Sequence, residues 1–101
     1  MKLLNKIIIK FKGIFPVKFK TYLKKFRNFN GYEGLDKKML KFINYSNGFY
    51  IECGANDGVN QSNTWYFEKK LNWNGLLIEP IDSVFKELKK NRGKKNFFFN
   101  G

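Results

Sequence analysis

A chain of 101 residues has room for one modest core, and its formal charge of +12 is lopsided: residues 1–50 carry 12 basic and 2 acidic groups, residues 51–101 carry 8 and 6. One cysteine, Cys53, and no histidine exclude a disulfide framework and a Cys/His zinc site, and no metal site is expected. Lysine supplies 18 of the 20 basic residues, which argues against nucleic acid as a partner, since its recognition favours the arginine fork.

Residues 1–30 read as a basic arm and residues 31–101 as a separate unit. Leu3, Leu4, Ile7, Ile8, Phe11, Ile14 and Phe15 recur at helical spacing, with Lys2, Lys6, Lys10 and Lys12 among them, until Pro16 ends the pattern. The same lysines interrupt any apolar run before it reaches secretory or transmembrane length, so the expectation is a cytoplasmic protein with neither export nor a membrane span. A second helix is predicted around Phe19, Tyr22, Leu23 and Phe26. Two readings of the arm stand side by side: peripheral contact of residues 2–27 with an anionic membrane surface, or packing of the apolar stripe on the rest of the chain.

After the turn-rich "NFNGYEG", residues 35–45 are predicted helical with Leu35, Met39, Phe42 and Ile43 on one side. Asn47-Gly48 turns the chain into an apolar strand, 49–53. The loop "GANDGVNQ" follows, then a helix from Thr64 capped by Ser62 or Asn63 and closed by "NWNG". Residues 75–79 form a second apolar strand stopped by Pro80, Asp82 or Ser83 caps a third helix, and residues 96–99 begin a third strand. Alternation of strand and helix with nearly continuous apolar strands predicts a parallel sheet of doubly wound type, whose ligands bind at the carboxyl ends of strands. Cys53 is expected to be a small buried residue, and Trp65, Tyr66, Phe67 and Trp73 to be packing residues.

The loop after the first strand lacks both phosphate-binding glycine patterns, because Gly54 and Gly58 are four apart with Asn56 between them. Glu52 and Asp57 would repel a pyrophosphate and attract an ammonium or sulfonium group. Glu79 ends the second strand, where a carboxylate can accept both hydroxyls of a ribose. A ribose at one end and a cationic amino acid at the other describe S-adenosylmethionine.

The stretch "FYIECGANDGVNQSNTWYFEKKLNWNGLLIEP", with "F..LKKNR" at 85–92, resembles the first motif block of the FkbM family of S-adenosylmethionine-dependent methyltransferases. The resemblance implies a Rossmann-like class I methyltransferase fold, present as its first three strands only, and O-methylation of a sugar, glycan or small secondary product. It assigns Glu52, Gly54, Ala55, Asn56 and Gly58 to the cofactor loop and Glu79 to the ribose. Asp57, Ser62, Asn63 and Thr64 match the adjoining segment. No catalytic base is identified, and the 101 residues alone are expected neither to bind the cofactor tightly nor to transfer methyl groups. A reading from another class is a non-catalytic remnant that serves as a membrane-surface or protein-interaction module.

Overall fold

The computed structural model describes residue 3 and residues 17–101. The helix expected over residues 2–15 therefore lies outside the described residues, save for Leu3, which is helical and exposed.

The described chain begins with helix α1, Val17–Lys24, and reaches α2, Leu35–Met39, through a short 3-10 turn at Tyr32–Gly34. Strand β1, Phe49–Cys53, is followed by α3, Trp65–Leu71, and β2, Asn74–Ile78. Helix α4, Asp82–Asn91, leads into β3, Phe97–Phe99.

The predicted helix over 35–45 is shorter than its apolar spacing suggests. Beyond Met39 the chain tightens into turns, where the Lys41 and Phe42 amides bond three residues back, to Lys38 and Met39, and the helix ladder stops. As a result Met39 and Ile43 pack on the core, whereas Phe42 stands in solvent. The second strand sits one residue earlier than expected. Helix α3 is closed by Asn72 in the left-handed conformation, and at its start the Trp65 amide donates to the Ser62 hydroxyl. Neither Asp82 nor Ser83 caps α4; Ile81 holds that position without a side-chain bond.

The three strands form a parallel sheet in the order β1-β2-β3. Parallel strands need crossovers, and right-handed crossovers that step across a sheet in one direction place both helices on one face. Phe67 of α3 and Leu88 of α4 accordingly join one cluster with Tyr50 of β1, Leu77 of β2 and Trp73. Fully burying a side chain such as Leu77 or Phe67 stabilises the fold by about 1.5 to 3 kcal/mol each.

On the other face, register aligns Ile51 with Leu76 and Phe97, and Cys53 with Ile78 and Phe99. Among the described residues nothing covers this row: Phe49, Ile51, Phe97 and Phe99 are all more than half exposed. Cys53 belongs to it and is exposed, contrary to the expectation of burial, because the strand's period of two places it with Ile51 rather than with Tyr50.

Candidate functional site

The carboxyl ends of β1 and β2 carry the residues singled out in the sequence. The loop from Gly54 to Thr64 leaves β1 with Gly54 at φ +69°, and space is open where a side chain would begin. Ala55 is buried, and its amide donates to the Ile78 carbonyl, so the loop starts by extending the β1–β2 ladder. Asn56 adopts φ +57°, a conformation asparagine tolerates better than most residues.

Glu79 is the hinge pin of this arrangement. Its Oε1 accepts the Asn56 amide at 2.9 Å and its Oε2 accepts the Ile81 amide at 3.0 Å, leaving the residue 5% exposed. Each oxygen of a carboxylate can accept two hydrogen bonds, so each keeps one lone pair uncommitted to these amides.

Asp57 turns inward on its own loop. Its Oδ1 accepts the amides of Val59 and Asn60, which stabilises the turn. Gly58, at φ +83°, lets the loop lie against α4, and a side chain there would collide with Arg92 and Leu88.

Glu52 faces the other side of the loop. Its Oε1 accepts the Thr64 hydroxyl at 2.7 Å and its Oε2 the Asn63 amide at 3.1 Å. Burial pushes its carboxyl above the usual range, against the opposing pull of Thr64, Asn63 and Arg92. A cavity of about 390 Å³ opens here, bounded by Glu52, Gly54, Asn63 and Thr64 and by the apolar Ile43 and Trp73. The predicted residues thus do not form one cluster: Ser62 and Gly58 lie against Arg92, and most of the others fall into two groups. Glu52, Gly54, Asn63 and Thr64 share the cavity, while Ala55, Asn56 and Glu79 tie the loop to the end of β2 and Asp57 braces the loop's own turn.

Beneath both groups lies Arg92, included in the motif block but given no role by it. Its side chain is 0% exposed. All five N–H groups are used: Nε donates to Glu68 Oε1, Nη1 to the Gly58 carbonyl and the Ser62 hydroxyl, and Nη2 to the hydroxyls of Tyr50 and Thr64. Because Thr64 Oγ1 accepts from Arg92, its own proton is directed to Glu52. The loop is therefore oriented by a cation that never reaches the surface.

Glu68 is the counter-ion. Burial alone would raise its carboxyl, but Arg92, the Gly93 amide, Asn96 and Tyr50 outweigh burial and hold it down to about 2. Burial raises the Tyr50 hydroxyl well above its ordinary range. The available sequence signal was composition, since Arg92 is one of only two arginines among 20 basic residues.

Of the expected packing residues, Trp65, Phe67 and Trp73 are buried, and half-buried Tyr66 stacks on Phe29 at 4.6 Å. Among the described residues no group of histidine, cysteine, aspartate or glutamate could hold a metal, and no helix is long and apolar enough to cross a membrane.

Comparison of the chain with known protein families, with curated proteins and with solved structures returns no match in any of the three.

Proposed function

We infer that these residues are the cofactor-binding part of an S-adenosylmethionine-dependent methyltransferase, acting on an oxygen of a sugar, glycan or small product. The observation that carries this reading is the meeting of loop and strand end, with the Asn56 amide on Glu79 at the carboxyl edge of two parallel strands. Ligand sites of open parallel sheets lie at such an edge. The residues fit the group in two respects. Glu79 retains acceptor capacity for ribose hydroxyls, and Gly54 leaves open space beside a cavity that carries the Glu52 carboxylate.

Glu52, Gly54, Asn63 and Thr64 would hold the amino-acid end and Glu79 the ribose. When bound, S-adenosylmethionine supplies a methyl group on a positively charged sulfur, and this chain's share of the work is alignment of that donor. The small-molecule or glycan acceptor and the base that takes its proton belong to residues not identified among the ten candidates.

Calorimetric titration with S-adenosylhomocysteine tests the reading, on a polypeptide carrying residues 1–101 with any coding sequence that follows. Micromolar binding is expected, weakened about tenfold to a hundredfold by Glu79→Gln, which removes a charge-assisted acceptor worth about 1.5 to 3 kcal/mol. Absence of binding in that polypeptide, or affinity untouched by Glu79→Gln, would overturn it.

A further inference from the structure

Among the described residues of the arm, the aromatic side chains of α1 and of the turn after it are not buried against the sheet. In α1 and the turn after it, Tyr22 and Phe26 are each 54% exposed, and Phe19 is exposed beside them. The three rings form a continuous row, Phe19 to Tyr22 at 6.5 Å and Tyr22 to Phe26 edge-on at 5.3 Å. The opposite side of the helix is attached to the protein: Asn60 donates to the Thr21 hydroxyl at 2.9 Å, and the Lys24 ammonium donates to Asn60 Oδ1 at 2.6 Å. Within α1, Lys18 lies on one side of the aromatic row and Lys20 on the other, and Lys25 follows, exposed, in the turn. Residues 1–32 contain nine basic and no acidic residues.

We propose that the aromatic row of α1 is a docking surface for an anionic lipid membrane, with Tyr22 and Phe26 entering the headgroup boundary and Lys18, Lys20 and Lys25 meeting lipid phosphates. Charge complementarity selects this partner: an uninterrupted cationic stretch with a central apolar row has the pattern of helices that lie in the interfacial plane. Single-stranded nucleic acid is the competing polyanion. It is disfavoured because eight of the nine cations are lysine and because five of the seven apolar stripe residues ahead of α1 (Leu3, Leu4, Ile7, Ile8 and Ile14, against Phe11 and Phe15) are aliphatic and offer bases no stacking face. Asn60, which holds α1, also donates to Asp57, so the docking helix is tied to the loop of the candidate site.

Co-sedimentation of the 101-residue chain with vesicles tests the proposal, using phosphatidylcholine alone and phosphatidylcholine with about one third phosphatidylglycerol. Binding is expected only to the anionic vesicles and should fall as salt rises. Combined Lys18→Gln, Lys20→Gln and Lys25→Gln should lower partitioning about a hundredfold, each lysine near an anionic surface contributing roughly fivefold. Tyr22→Ser with Phe26→Ser should lower it about tenfold with the lysines intact. Apart from half-buried Lys20 both variants change exposed side chains, and unchanged fluorescence of buried Trp65 and Trp73 verifies that they fold. Ile51→Lys on the bare sheet face should bind as the wild type does. Equal binding to neutral vesicles, wild-type binding by the Tyr22/Phe26 variant, or capture by single-stranded RNA without vesicle binding would each overturn the proposal.

Discussion

The two faces of the three-stranded sheet are built from the same strands and have opposite chemistry. On the covered face Tyr50 and Leu77 are buried under α3 and α4, and a fully bonded Arg92–Glu68 pair lies among them. On the bare face Phe49, Ile51, Cys53, Phe97 and Phe99 stand in the open, although they are at least as apolar. The difference teaches that hydropathy ranks residues for burial, while the direction of the crossovers decides which face is buried. Both crossovers run the same way, so both crossover helices lie on one face, and among the described residues no helix covers the other.

The largest effect is expected from Arg92→Met, which removes the buried cation of Glu68, leaves it only the partly exposed Lys69 ammonium at 3.3 Å, and strands the acceptors on Gly58, Ser62 and Thr64. Losing one partner of a buried pair costs about 3 to 5 kcal/mol. The urea midpoint should collapse or the chain should fail to fold, and a midpoint near that of the wild type would show that the covered face does not rely on this cation.

Leu77→Ala against Ile51→Ala breaks the comparison most directly. Leu77 is 0% exposed and Ile51 is 66% exposed. The first should cost about 2 to 5 kcal/mol and the second under about 1, as read by urea denaturation. Equal costs would mean that Ile51 is covered in solution.

Acid should act on the covered face in a fixed direction. The Glu68 carboxyl is held to about 2 against an ordinary 4.5. Its contribution is complete above about pH 4.5 and is lost as pH falls toward 2, because the unfolded chain takes up the proton first. Glu52 has the opposite sign: its carboxyl is raised, the native state takes up that proton first, and its contribution improves as pH falls through the raised value. Comparing the pH dependence of the urea midpoint in Glu68→Gln and wild type isolates the first effect. The gap between them should narrow from pH 4.5 toward 2.

The smallest change in stability, with a visible change in behaviour, is expected from Ile51→Lys. A bare apolar face beside an exposed strand edge favours association. Sedimentation velocity should show less self-association, with the urea midpoint nearly unmoved. Unaltered association would place the contact elsewhere on the surface.

Much of the fold was legible in the chain itself. Apolar runs bounded by Asn47-Gly48, by the Gly54 loop and by Pro80 delimit β1 and β2 to within a residue, because strand limits here follow from local breakers. The loop glycines and the carboxylates at the two strand ends were visible for the same reason. The partners of those carboxylates were not. Glu79 meets Asn56 across 23 residues and Glu52 meets Thr64 across 12, distances that only the closed sheet and its crossover bring within hydrogen-bond reach.

By itself the sequence determined the alternation of strand and helix, the split between a cationic first third and a mixed remainder, and the polar loop at the end of β1, all of which depend on neighbours a few residues away. Tertiary structure alone decided that Cys53 faces outward, that the rings of α1 remain exposed, and that Arg92 becomes the buried anchor of the loop. Each of these depends on which surface a distant segment covers. Arg92 in particular is bonded to residues 24 to 42 positions earlier in the chain, and only packing of α4 against β1 and α3 assembles five acceptors around one guanidinium.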